Sequence, residues 1–475
     1  MIRMGLCRTA VAAALLATAC APVGPDYARP GVDLPRNYPA ANAGTAAAAL
    51  KGAALKDDWW TLYGDAQLNE LVASALVKNS DIRLAVARIE EADANLREAG
   101  ASFLPQIDLN AAPTRSRVSS TLATPLPGTV APVRNNVRLT ASTSFELDFW
   151  GRLRRGVEAV RAQALGTRYA KDVVSLSLAG LTTQAYFSLR SLDAQIGVAG
   201  KTLASRDESL AYVGRRARGG IASDLDLSQA RGARAESAVQ LKELVRQRAL
   251  VEHQLATLTG RLDLAMAEDA TRGLLALPLP PLPPAGLPSA LLERRPDIRV
   301  AEQALISANA QIGVAKAAML PTILLTGSDG WESKALSSLI QGTSNIWSLG
   351  FALTLPIFDH GRLQARTDAA IAREHQALVA YQKSIESAFR EVADGLSNAQ
   401  QTTAAEADYQ ARVDATRRTL QLARLRYESG YSAVLEVLDS ERNANDAELA
   451  FVRNRQAQLA ASVDLMKALG GGWAP

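Results

Sequence analysis

The chain has 475 residues, 48% of them hydrophobic and only 5% aromatic, with 52 basic and 48 acidic residues mixed along its length for a formal net charge of +4. That hydrophobic content excludes a disordered chain, and a mean hydropathy near zero excludes a bundle of membrane helices. No basic patch with interleaved aromatics stands out, which argues against a nucleic-acid partner.

Residues 1–19 read as a secretory signal: Arg3 and Arg8 precede the apolar run Ala10–Leu16, followed by Ala17, Thr18 and Ala19. The run is too short to span a bilayer. Cys20, directly after this small-residue cleavage site, points to lipidation of the new N-terminus. Bacterial lipoproteins usually carry Leu three residues before the cysteine; here Ala17 stands there, with Leu16 one position further back. The alternative, a plain cleaved signal, would leave Cys20 as an unpaired secreted thiol, because Cys7 departs with the signal. Residues 20–56, rich in Pro, Gly and Ala without periodicity, form an extended segment.

A first repeat covers 57–288. Trp59 and Trp60 open it as packing anchors, and helical periodicity runs from about Gln67 to Ala101. Alternation predicts a strand over 104–112, then a polar loop, then a second strand over 137–149. A helix over 151–218 contains no proline and is on the order of 100 Å long at the α-helical rise. Gly219 and Gly220 end it, a second helix follows over 223–262, and the proline-rich stretch 275–288 closes the repeat.

The second repeat, 289–475, restates the plan. Gly151-Arg152-Leu153 returns as Gly361-Arg362-Leu363, a shift of 361 − 151 = 210 residues. Strands are expected over 320–328 and 346–358, and long helices over 361–429 and 433–469. In the first of these, Ile371, Leu378, Ile385, Val392, Ala399, Val413, Leu420 and Tyr427 hold one heptad register, with Glu406 the polar intruder, which implies a coiled-coil supercoil.

Four strands with one apolar face cannot close by themselves, and an open edge is untenable in lipid. Chains must pool strands, and three copies would make twelve. The other face carries Asn110, Arg138, Glu146 and Asp148, as a wet lumen would. A soluble β-sandwich would also bury the apolar faces, but leaves the junctions with such long helices unexplained. The fold class expected is therefore mainly α with a membrane β-barrel, internally duplicated.

The sequence Val23-Gly24-Pro25-Asp26-Tyr27 after the cysteine, Asp58-Trp59-Trp60, Arg294-Arg295-Pro296-Asp297-Ile298 and the paired Gly-Arg-Leu junctions resemble the outer-membrane efflux lipoproteins of the TolC superfamily (NodT/OprM type) over essentially the whole mature chain. The resemblance implies a homotrimer with a twelve-stranded barrel in outer-membrane lipid and a helical tunnel through the periplasm. It also implies docking to a periplasmic adaptor and an inner-membrane pump of RND type. By the same resemblance, the helical turns Gly219, Gly220, Ile221, Ala222, Ser223 and Gly430, Tyr431, Ser432, Ala433 contact the adaptor. Glu436 and Asp439, with Asp226 as the first-half equivalent of Glu436, would form an acidic ring at the periplasmic aperture; TolC itself has Asp where this chain has Glu436. From spacing alone, Glu436 and Asp439 share a face near the start of a helix and read first as favourable to its dipole, and Gly220, Gly430, Ser223 and Ser432 suit tight helical hairpins, the two serines as N-caps.

No catalytic motif, cofactor motif or metal-ligand spacing is evident, and His253, His360 and His375 are scattered. The reading is a passive, gated exit duct for small molecules such as drugs. Its alternatives are an exit duct for protein secretion or heavy-metal export, and a lipid-anchored periplasmic coiled coil without a pore.

Overall fold

The computed structural model describes residues 22–31, 35, 58–119, 121, 131–267, 274–280 and 294–471. Cys20, the signal 1–19, most of 20–56 and much of the connector 275–288 lie outside the described residues. The chain divides into two compact units, Met1–Gly31 with Ile89–Thr167 and Ala301–Tyr381, and Val32–Arg88 with Arg168–Val300 and Gln382–Pro475.

The first unit is built on a four-stranded antiparallel sheet in the order β1 (Gln106–Arg117), β2 (Val133–Glu146), β3 (Thr322–Ser333) and β4 (Asn345–Thr354). Directly opposed residues share a face, so the register sorts the side chains. One face carries Ile107, Leu109, Leu139, Phe145, Leu325, Trp331, Trp347, Leu349, Phe351 and Leu353; the other carries Asn110, Thr140, Ser142, Ser328 and Ser348. Much of the apolar face is uncovered among the described residues: Trp347 is 74% and Phe351 76% exposed.

The strand bounds differ from expectation. β1 continues through Pro113 to Arg117, into the stretch read as loop, because Pro113 is tolerated on an edge strand where its missing N–H breaks no ladder. β2 ends at Glu146 and β4 at Thr354, each short of the aromatic residues that precede the helices.

A strap of the chain, Pro22–Gly31, lies against this unit. Val23 N–H donates to the Trp150 carbonyl (2.9 Å), Asn309 donates to the Pro25 carbonyl (2.9 Å), and Asp26 pairs with Arg155 (2.6 Å). Arg29 grips Glu302 through both carboxylate oxygens, at 2.7 and 3.0 Å.

The second unit holds a core of Trp59, Tyr63, Leu68, Leu71, Tyr186, Phe187, Leu189, Leu255, Val463 and Met466, so Trp59 is a packing residue. The helix expected over 67–101 is two: α1 (Ala66–Lys78) and α2 (Ser80–Ala101), parted at Asn79. The Asn79 side chain accepts from Asp81 N–H (2.7 Å) and donates to the Leu258 carbonyl (2.9 Å), offering the backbone an alternative to a continuous helix.

α3 (Arg152–Arg218) runs unbroken for 67 residues, and α4 is Asp224–Thr259. α5 (Pro296–Ala317) begins with proline at its first position, where the missing donor costs nothing. The helix expected over 361–429 is interrupted: α6 (Arg362–Ala404) and α7 (Glu406–Glu428) meet at the polar intruder of the heptad. There Asn454 and Gln458 of α8 (Val434–Ala468) both donate to the Thr402 carbonyl, at 3.2 and 3.0 Å, and Gln458 also donates to Glu406 (3.1 Å). Side-chain amides competing for the ladder are a known cause of such breaks. Among the described residues, no helix is long and apolar enough to cross a membrane.

Candidate functional site

The polar face of the sheet is wired by its own side chains. Asn110 donates to Ser142 (3.2 Å), the Ser328 and Ser348 hydroxyls are 2.7 Å apart, and Glu332 accepts from Asn136 (2.8 Å) while lying 3.8 Å from Arg138. Glu146, the last residue of β2, is held by Arg152 at the start of α3. Asp148 lies beyond the strand and caps α3, accepting from the N–H groups of Leu153 (3.1 Å) and Arg154 (2.9 Å). Asp359 does the same in the second repeat, accepting from Leu363 N–H at 2.9 Å. Asp148 is thus corrected from a lumen residue to a helix-start residue, because the orphan amides of α3 claim its carboxylate.

In the second unit, two helical turns pair by the duplication. At each, a glycine in the left-handed conformation (Gly220, φ 72°; Gly430, φ 80°) closes a Schellman motif. Ile221 N–H reaches the Arg216 carbonyl (2.9 Å), and Tyr431 N–H reaches that of Arg426 (2.8 Å). Ile221 and Tyr431, at identical positions in the repeats, are exposed, as are Gly219 and Gly220.

The two turns then diverge. Ser223 and Asp226 form a reciprocal capping box at the start of α4: Asp226 N–H donates to the Ser223 hydroxyl (3.1 Å), and Ser223 N–H donates to the Asp226 carboxylate (3.0 Å). Asp226 is therefore engaged in its own turn. The second turn has no such box. Ala433, not Ser432, is the N-cap of α8, its side chain makes no capping bond, and the buried Ser432 hydroxyl finds no partner among the described residues. The expectation that Ser432 caps the next helix is corrected: the duplication aligns Ser223 with Ala433, and Ser432 with Ala222. Replacing Ser223 by Ala should cost about 1 kcal/mol of local stability, read as faster amide exchange over the first turn of α4, whereas Ser432→Ala leaves exchange at the start of α8 unchanged.

Glu436 and Asp439 are each matched by a cation in the same chain: Arg426 across the turn (3.2 Å) and Arg442 one helical turn on (3.3 Å). All four side chains are substantially exposed.

Two further clusters escaped the sequence reading. Tyr212 and Tyr427 meet edge-on (5.9 Å), and the Arg216 guanidinium lies over both rings, at 5.8 and 5.2 Å, while donating to the Tyr212 hydroxyl (3.3 Å). Burial raises the Tyr427 pKa against the pull of Arg216. Deeper in, Glu441 of α8, 3% exposed, meets Arg206 of α3 (3.2 Å) and Arg424 of α7 (2.8 Å) and accepts from the Ser205 hydroxyl (3.0 Å). Burial lowers the Arg206 pKa although Glu441 opposes this. A signal existed: Glu441 falls three and four residues after Leu438 and Val437, on an otherwise apolar stripe.

Among the described residues, no group of His, Cys, Asp and Glu is placed to hold a metal ion.

The family model described as outer membrane efflux protein matches residues 71–261 and 287–471. The outer membrane protein OprJ of Pseudomonas aeruginosa is 35% identical over 467 residues, covering 98% of this chain and 95% of that protein. The cation efflux system protein CusC of Escherichia coli K12 is 34% identical over 463 residues, covering 97% and 98%. Among solved structures, the CmeC outer membrane channel of Campylobacter jejuni superposes with a TM-score of 0.85 at 26% identity, covering 95% of each chain.

Proposed function

This chain belongs to the outer membrane efflux protein family, and from that premise we propose that it is the outer-membrane exit duct of a tripartite efflux system for small organic molecules. The observation that carries the reading is the sheet. It has a largely exposed apolar face, a hydrogen-bonded polar face and two edges that no strand of the same chain covers among the described residues, β1 and β4. In lipid those edges must pair, and three copies joined β4 to β1 give twelve strands around a polar lumen, wide enough for water.

The duct is passive and carries no catalytic role; energy comes from an inner-membrane pump of RND type through a periplasmic adaptor. The adaptor contacts the exposed turns around Ile221 and Tyr431. Lipid on Cys20 anchors the N-terminus, and the strap Pro22–Gly31 begins two residues later. Labelling with radioactive palmitate is expected for the wild-type chain and absent from Cys20→Ser.

The experiment that tests the function is cellular accumulation of dyes, antibiotics and metal ions with the chain deleted and then restored. Raised accumulation of organic compounds on deletion, reversed on restoration, supports the reading. Raised accumulation of metal ions alone moves the substrate to the cation class named for CusC. No change in any of them overturns small-molecule export and turns the search to a secreted protein.

A further inference from the structure

β1 extends beyond the apolar belt, and what it carries there is basic. On the apolar face it presents Ile107, Leu109, Ala111 and Pro113, then Arg115 and Arg117. The same face of the neighbouring strand carries Asn135 opposite Arg115 and Val133 opposite Arg117. Both arginines are exposed.

No carboxylate is near enough in sequence or register to neutralise them. From Leu109 to Phe145, through the whole β1–loop–β2 hairpin, the chain contains no Asp or Glu. Glu332 and Glu146 lie on the opposite face, the first beside Arg138 and the second held by Arg152. Asp329 is the one strand carboxylate on the apolar face, and it sits far down the sheet, level with Ala141 and Trp347. β4, which would adjoin β1 in a closed barrel, offers only Asn345 and Trp347 at its upper end.

A long basic side chain at the margin of a lipid-facing surface places its charge at headgroup level while its stem stays on the apolar belt. The hairpin end bearing Arg115 and Arg117 is the end away from the helices, hence the outer-leaflet end of the barrel under the reading proposed above. A bidentate guanidinium fits phosphate geometry, and two of them alternate along one strand face with no acidic partner among the described residues.

We propose that Arg115 and Arg117 form a site for the phosphate groups of an anionic lipid in the outer leaflet. The site is assembled once per chain along the upper edge of β1, and it rests on the barrel reading of the sheet.

The test uses the full-length protein purified in detergent, with diphosphorylated lipid A as probe and phosphatidylcholine as control, and retained lipid measured by native mass spectrometry. Wild type should retain lipid A, and Arg115→Ala/Arg117→Ala should retain it roughly thirtyfold less, since each basic side chain near an anionic surface is worth about fivefold. Arg115→Lys/Arg117→Lys should recover most of it. Equal retention by the alanine variant, or equal retention of lipid A stripped of both phosphates, overturns the proposal. Planar-bilayer conductance in phosphatidylcholine separates the layers: the alanine variant should conduct like wild type, and a wild-type chain that forms no pore defeats the barrel reading itself.

Discussion

Replacing Glu441 by Ala should strongly destabilise the helical unit, costing about 3–5 kcal/mol. The side chain is 2% exposed, and it answers Arg206, itself 5% exposed on α3, and Arg424 on α7. Truncation removes the carboxylate that bridges the two guanidinium groups and leaves the buried Arg206 with only the more weakly acting Glu236 to oppose its charge. An uncompensated buried charge costs far more than the pair contributes when intact. The exposed pair Arg234–Asp207, at 42% and 50% exposure, is the control; breaking it should cost under about 1 kcal/mol. Guanidinium unfolding of the detergent-purified protein, followed by far-ultraviolet circular dichroism, checks both. Equal midpoints for Glu441→Ala and Arg234→Ala would remove the buried triad from the account of how α3, α7 and α8 are held together.

The second large effect concerns charge at the turns. Each chain has two carboxylates, Glu436 and Asp439, against two guanidinium groups, Arg426 and Arg442, so the local sum is −2 + 2 = 0. Removing both carboxylates leaves +2 per chain, and in a trimer 3 × 2 = +6 around one opening. The double variant Glu436→Ala/Asp439→Ala should therefore shift the reversal potential under a potassium chloride gradient toward chloride, strongly at low salt and weakly at high salt, where screening intervenes. Arg426→Ala should shift it the other way. A reversal potential unmoved in either variant would show that these side chains do not face the conducting path.

The alternation from Trp347 to Leu353 and the length of α3 were legible because both follow from a period that a single chain displays. The glycine turns were legible for a similar reason: only glycine readily takes the left-handed conformation at a Schellman closure. Three things were hidden. Pro113 reads as a strand breaker until β1 is known to be an edge. The breaks at Asn79 and Ala405 depend on partners distant in sequence, Leu258 in one case and Asn454 with Gln458 in the other. The pairing of Glu436 with Arg426 depends on the turn folding their helices together, so the two carboxylates that the resemblance assigns to an acidic aperture are each matched by an arginine of the same chain.

The unequal capping of the two turns bears on symmetry. A fused tandem repeat in a trimer approximates a six-fold arrangement, in which six turns would be equivalent. Here Ser223 and Asp226 lock the first turn of the chain, while the helix after the second begins at Ala433 with no side-chain cap, and α6–α7 is jointed where α3 is continuous. The exact symmetry is therefore only three-fold. Fusing two copies into one chain let the two turns be held differently, one by a reciprocal capping box and the other by an arginine–glutamate pair across it, a difference that a hexamer of identical single repeats could not encode.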